Sequence, residues 1–166
     1  MTSETTVSFP NDLKKDTWIL NGLEQSSLGQ IQLPCEYLKK ISPIDQSCLI
    51  ESNNNFPTAA GLASSASGVA SLVSALDNVL ETKLSNQQMI EVAMLGSGSA
   101  ARSLFSGFVL LDVSENQVSC ETILEVEEWP LNVIVCVTST NRKTISSRKG
   151  MEISRKTSPI YSDWVS

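Results

Sequence analysis

Residues 53–68 read Asn53-Asn54-Asn55-Phe56-Pro57-Thr58-Ala59-Ala60-Gly61-Leu62-Ala63-Ser64-Ser65-Ala66-Ser67-Gly68: a polar turn, a run of small residues, then a helical pattern. That order suits a phosphate group. Backbone N–H groups left over at a helix start can point at an anion, and the helix dipole favours negative charge there. Gly61 can take backbone conformations closed to other residues, while Ser64 and Ser65 offer hydroxyls to phosphate oxygens or to a metal ion. The residues by themselves support a second reading equally well, in which the serines cap the first helical turn and the alanines permit tight packing. No Gly-Lys-Ser/Thr follows the first glycine at the required spacing, so this is not a Walker A loop.

A second constellation is Gly96-Ser97-Gly98-Ser99-Ala100-Ala101-Arg102. Ser97, Ser99 and Arg102 fall at i, i+2 and i+5 around a glycine-softened turn, so two hydroxyls and a guanidinium could meet one anion. The planar guanidinium binds a carboxylate or phosphate through two parallel hydrogen bonds. Taken alone, such a string also reads as an N-capping serine pair beside a solvated arginine. A third group, Arg142, Lys143, Arg148, Lys149, Arg155 and Lys156, concentrates positive charge near the end of the chain. It is either a phosphate face or an ordinary basic surface.

Composition narrows the chemistry. The 166 residues contain no histidine, which excludes imidazole acid–base steps and His-ligated metals within the chain. A net charge of −6 opposes binding to nucleic acid or to an anionic membrane, so an anionic ligand must be held locally. Cys35, Cys48, Cys120 and Cys136 are far apart in sequence and form no C-x-x-C pair, which fits neither a zinc site nor a dense disulfide framework. A reducing cytoplasm is the expected compartment. Neither a signal region nor an apolar run of about 18 residues is present.

The elements that must position these residues follow from periodicity. Runs at 5–9 and 16–20, the second closed by Asn21-Gly22, predict a strand pair. Ile31, Leu33 and Leu38 suggest a helix face between Ser26 and Lys40, which Pro34 would start or interrupt. A short strand at 48–52 leads into the small-residue loop. Val69, Leu72, Val73, Leu76 and Leu80 make one stripe of a helix over 64–80. Ser85, with Gln88 three residues on, predicts a capping box for a helix over 85–94. Apolar runs at 107–111 and 131–137 predict buried strands. The class is α+β, in one unit without repeats or linkers.

The string Pro57 to Ala66, P-x-x-x-G-L-x-S-S-A, resembles the phosphate loop of the galactokinase, homoserine kinase, mevalonate kinase and phosphomevalonate kinase (GHMP) superfamily. Asn54 to Ala66 is similar to the corresponding stretch of mevalonate diphosphate decarboxylases. Three further strings resemble that family in order: Asp16-Thr17-Trp18-Ile19-Leu20-Asn21-Gly22, the Gly96–Phe105 segment, and Ser146-Ser147-Arg148-Lys149-Gly150-Met151 with Thr157, Ser158, Tyr161 and Trp164. The sequence departs from the family pattern at Ala101 (usually cysteine), Ser106 (glycine) and Leu111 (an aromatic). It is also shorter before Gly96.

The resemblance implies a GHMP-kinase-like ATP-binding domain over 1–140, lacking its first strands, and the start of a carboxy-terminal domain over 141–166. It implies an ATP- and Mg2+-dependent decarboxylation of mevalonate 5-diphosphate to isopentenyl diphosphate, with a related mevalonate phosphate kinase, or a remnant without catalysis, as the alternatives. ATP contacts would come from Pro57, Ala60, Gly61, Leu62, Ala63, Ser64 and Ser65. Ser97, Ser99, Arg102, Ser147 and Arg148 would hold the substrate, with Ser65 and Arg102 in catalytic roles. The family's Tyr-Trp-Gly-Lys region and its catalytic aspartate would lie outside the chain, leaving it inactive alone. The apolar surface so uncovered would pair with a second copy or a complementing chain.

Overall fold

The computed structural model of the chain describes residues 1–114, 117–136 and 144–165, apart from the side chains of Arg148 and Val165. Four strands, β1 (Ser3–Ser8), β2 (Thr17–Leu20), β3 (Leu23–Glu24) and β4 (Leu49–Asn54), form a mixed sheet in the order β1-β4-β2-β3. Asn21 and Gly22 both take left-handed backbone, with φ of 50° and 76°, as a two-residue hairpin turn between β2 and β3 demands. The strand pair expected from 5–9 and 16–20 does not form. β4 lies between them, antiparallel to β1 and parallel to β2. A parallel neighbour requires a crossover, and the helix α1 (Gln32–Ile41) provides it. Pro34 sits in the first turn of α1, where its missing N–H costs no intrahelical bond. Ile31, Pro34, Cys35 and Leu38 are buried, whereas Leu33, expected on the inner face, is exposed.

The long helix α2 (Ser64–Leu80) buries Val69, Leu72, Val73, Leu76 and Leu80, the stripe its three- and four-residue spacing predicts. Polar contacts supplement this packing. Ser3 pairs with Ser67 at 2.7 Å and Thr5 with Ser71 at 2.7 Å, so hydroxyls join β1 to α2. Thr5 also meets the buried hydroxyl of Ser52 on β4 at 3.1 Å. The helix α3 (Asn86–Gly96) begins with the complete capping box of Ser85 and Gln88. It ends against α2, where a Cβ on Gly96 would lie 2.8 Å from a Val69 methyl and 2.9 Å from the Gln30 carbonyl oxygen. One core results, built from α1, α2, α3 and β4.

Past a 3-10 helix at Ala100–Leu104, the strands β5 (Phe108–Val113) and β6 (Val118–Leu124) make a separate antiparallel ribbon. β6 alternates in exposure, with Val118, Cys120, Thr122 and Leu124 half-buried, the period-2 signal that the sequence carries for a strand there. The strand expected over 131–137 is absent across 131–136, where Leu131, Val133, Ile134 and Val135 are exposed, Ile134 by 88 %. An apolar run becomes a strand only where another strand offers a hydrogen-bonding edge, and neither described sheet extends one to it. Val137 and the expected domain boundary at 140/141 lie outside the described residues. Two helices follow, α4 (Ser147–Thr157) and α5 (Tyr161–Val165). Among the described residues no helix is long and apolar enough to cross a membrane.

Candidate active site

β4 delivers the chain into the small-residue loop, and the loop is stitched in place by asparagines. Asn21 accepts from the Asn54 backbone at 2.8 Å, and the side-chain amides of Asn54 and Asn21 donate to Thr58 Oγ1 at 2.9 and 3.2 Å. Asn55 accepts from the Thr2 backbone at 2.7 Å. The polar turn thereby spans β1, β4 and the β2–β3 hairpin.

Within the loop, Ala59, Gly61 and Ala63 have φ of 60°, 88° and 54°, while the residues between them do not enter the left-handed region. Left-handed residues alternating with right-handed ones can turn backbone N–H groups toward one side, a geometry that receives anions, although the Ala59 N–H is already taken by Ser64. For alanine the left-handed conformation costs about 1–2 kcal/mol, so the fold holds two strained residues there. Ala63 is also the N-cap of α2 and makes no side-chain cap. The capping reading of the serines therefore fails. Ser64 instead accepts from the Ala59 backbone at 3.2 Å, across the loop. The Ser65 hydroxyl, half-buried in the first turn, has no hydrogen-bond partner among the described residues.

The second constellation lies where α3 gives way to the 3-10 helix. Ser97 and Ser99 hydroxyls are 3.3 Å apart, and the Ala100 N–H closes the turn onto the Ser97 carbonyl at 2.9 Å. Ala100 and Ala101 are fully buried, which anchors the turn and leaves the neighbouring Arg102 exposed. Arg102 forms no salt bridge among the described residues. Its charge reaches β6: burial leaves the Cys120 thiol above its ordinary value, and the Arg102 guanidinium offsets only part of that rise. The 3-10 helix packs on α2 and α3, so both candidate segments are borne by the same helix pair.

Among the described residues, the third group is not brought to the others. α4 lies exposed along its length and packs on no other element through more than marginal contact. Its N-cap is Ser146, which accepts from the Lys149 backbone at 3.3 Å, placing Ser147 at the first helical position. The side chain of Arg148, and all of Arg142 and Lys143, lie outside the described residues.

Magnesium prefers oxygen ligands in octahedral array and is commonly held through one or two carboxylates and substrate phosphates. Among the described residues, the one group of three close ligating side chains is Asp16, Cys35 and Cys48, at the opposite end of β4 from the loop. Its thiols do not suit magnesium. At the loop the side-chain oxygens are hydroxyls and amides with no carboxylate among them; Thr58 and Ser64 are engaged within the loop, which leaves Ser65 as a hydroxyl that could face such an ion.

A model of the diphosphomevalonate decarboxylase-like N-terminal domain matches residues 1–122. The chain belongs to the diphosphomevalonate decarboxylase family. It is 36 % identical to the diphosphomevalonate decarboxylase of Ganoderma lucidum over 95 % of its own length and 44 % of that protein's. The structure superposes on mevalonate diphosphate decarboxylase from Staphylococcus aureus with a TM-score of 0.77 at 34 % identity, covering 98 % of this chain and 51 % of that one. It superposes equally on MDDEF in complex with MVAPP, AMPPCP and magnesium, with a TM-score of 0.78 at 33 % identity over 98 % and 51 % of the two chains. The α+β fold is thus that of the family's amino-terminal domain. The chain spans about half the length of the relatives it matches.

Proposed function

We propose that this family member forms the ATP- and mevalonate 5-diphosphate-binding half of a cytoplasmic decarboxylase. ATP would phosphorylate the tertiary 3-hydroxyl, and loss of that phosphate together with the carboxylate would yield isopentenyl diphosphate and carbon dioxide. The observation that carries this reading is the alternating left-handed backbone at Ala59, Gly61 and Ala63, ahead of a helix start with no side-chain cap. Strain of that sort persists where an anion is received. Backbone from Pro57 through Ala63 would cradle the nucleotide phosphates, with Ser64 fixing the loop and Ser65 donating its hydroxyl to the transferring group. Ser97, Ser99 and Arg102 would hold the substrate, the guanidinium gripping the carboxylate until it leaves. Ser147 and Arg148 would take the diphosphate once α4 is docked.

In such chemistry the protein supplies position and charge complementarity rather than a covalent partner. Residues 1–140 would form the nucleotide-binding domain and 141–166 would open the next. The test is a chimaera that joins this chain to the remaining segments of the Staphylococcus aureus relative. Supplied with ATP, Mg2+ and mevalonate 5-diphosphate, the folded chimaera should release carbon dioxide and isopentenyl diphosphate. A cooperatively folded chimaera that yields a phosphorylated but undecarboxylated product would convert the assignment to a kinase, and one with no ATP turnover would remove it.

A further inference from the structure

Four cysteines scattered over a hundred residues suggest no pairing, yet the fold brings two of them together. Cys35, in the second turn of α1, and Cys48, at the foot of β4, are both fully buried with their sulfurs 3.6 Å apart. Cys48 is held from the other side as well. Oδ1 of Asp16 accepts from the Cys48 backbone at 2.8 Å and from its thiol at 3.4 Å. Lys39 closes the cluster, its ammonium 2.9 and 3.2 Å from the two oxygens of Asp16.

We propose that Cys35 and Cys48 are a redox-modification site, oxidised by hydrogen peroxide to an intramolecular disulfide. A disulfide needs sulfurs about 2 Å apart, so the pair must close by roughly 1.6 Å, within reach of side-chain rotation. Thiols held in contact face little entropic barrier to joining. A divalent cation is the competing use of two thiols and a carboxylate. The Lys39 ammonium already neutralises Asp16 and would repel such an ion, whereas oxidation leaves that ion pair in place.

The cluster also assigns the order of events. Cys35 is pulled below the ordinary thiol range by the hydrogen bond from Cys48, against the opposing effect of burial. Cys48 is pushed up, by that same hydrogen bond and by burial, and keeps its proton. The Asp16 carboxylate that accepts from the Cys48 thiol opposes a negative charge on that sulfur, which leaves Cys35 as the nucleophile. Its sulfur attacks one peroxide oxygen, the O–O bond breaks, and the departing hydroxide takes up a proton as water, leaving a sulfenic acid. The Cys48 sulfur then attacks the Cys35 sulfur, the S–O bond breaks, and the hydroxyl leaves with the Cys48 proton as a second water. Two thiols and one peroxide give one disulfide and two waters.

Entry is available. Asp16 and Gln32 line a surface cavity of about 250 Å3 with Lys15, Trp18, Glu24 and Gln25, and the Asp16 carboxylate in its wall touches the Cys48 sulfur. Peroxide is close to water in size. The bond would tie α1 to the foot of the strand that enters the small-residue loop.

The experiment uses the chain with Cys120→Ser and Cys136→Ser, which leaves only the buried pair. One equivalent of hydrogen peroxide should yield a product lighter by two hydrogens, with peptides 16–39 and 41–83 joined after trypsin and separated again by dithiothreitol. The same treatment in denaturing urea should lower the yield of that link several-fold. Adding Cys48→Ser should leave a Cys35 sulfenic acid that dimedone traps, while adding Cys35→Ser should leave Cys48 unmodified. Persistence of both thiols, over-oxidation of Cys35 without a cross-link, or links between molecules only would overturn the proposal. Protection of both thiols from alkylation by added Zn2+ alone would favour the cation instead.

Discussion

The hydroxyl of Ser64 accepts the backbone N–H of Ala59 at 3.2 Å, so the adjacent serines of the small-residue loop have different duties. Ser64 holds the loop closed over a left-handed residue, and Ser65 is left to act outward. Ser64→Ala should lower the stability of the chain by about 1 kcal/mol, the usual worth of one hydrogen bond. Ser65→Ala should leave the melting temperature within a degree or so of the parent, yet reduce phosphoryl transfer in the chimaera. Thermal denaturation and steady-state kinetics on both variants separate the two roles. Equal losses of stability would show that they share one.

Arg102 is exposed, with no salt bridge among the described residues, on a turn anchored by two buried alanines. If it grips a carboxylate through two hydrogen bonds, Arg102→Lys keeps the charge and loses the fork. The expected cost of about 1.5–3 kcal/mol is roughly a ten- to hundredfold fall in kcat/KM for mevalonate 5-diphosphate in the chimaera. The KM for ATP should stay unchanged. An unaltered kcat/KM would return Arg102 to the role of a solvated surface charge.

The Asp16–Lys39 pair sets a pH dependence. Burial acts to raise the Asp16 carboxyl, but hydrogen bonds from Lys39 and Cys48 outweigh it and leave the group below its ordinary value. Burial acts to lower Lys39, but Asp16 outweighs it and leaves the ammonium above its ordinary value. A depressed carboxylate contributes stability that is complete above its unfolded value, about 3.9, and lost as pH falls through the lower folded one. A raised ammonium contributes below about 10.4, and that contribution is lost as pH rises through its folded value. Asp16→Asn should therefore cost about 1–2 kcal/mol at neutral pH, allowing for partial solvent screening. It should also flatten both the acid and the alkaline arms of the stability profile. Denaturant titrations from about pH 2 to about pH 12, spanning both losses, provide the check.

Gly96 is required by proximity. A Cβ there would press on Val69 and on the Gln30 carbonyl, and that carbonyl belongs to backbone that cannot rotate away. Gly96→Ala should destabilise by about 1–3 kcal/mol despite the better helix propensity of alanine. Gly68, in the second turn of α2, has nothing within 4 Å of where a Cβ would stand. Gly68→Ala should therefore stabilise by about 0.5–1 kcal/mol, and the pair of variants forms an internal control in one denaturation series.

The apolar residues Val133 and Ile134 are exposed by 79 % and 88 %. Surface of that kind invites association between copies of the chain. Val133→Asp with Ile134→Asp should shift sedimentation toward the monomer without lowering the melting temperature. A loss of cooperative unfolding in the double variant would mean instead that these residues are needed for folding.

The local features of the protein are legible in its sequence because they depend on neighbours a few residues apart. The α2 stripe from Val69 to Leu80 repeats at the helical period, Ser85 and Gln88 are three residues apart, and Asn21-Gly22 needs only its own backbone to turn. The order of strand, small-residue loop and helix over 48–80 is legible for the same reason. Tertiary structure decided what depends on distant partners. β4 enters between β1 and β2 because a parallel pairing through α1 buries Ile50 and Leu38 together, which no pattern within 5–9 or 16–20 could reveal. Residues 131–136 have the composition of a strand, and composition cannot supply the edge a strand must pair with. Ser64 turns away from the helix it could have capped, because the left-handed Ala59 presents its N–H across the loop. Cys35 and Cys48, thirteen residues apart on different elements, met only when the crossover folded back, since contact between their sulfurs is set by the packing of α1 on β4 and not by spacing along the chain.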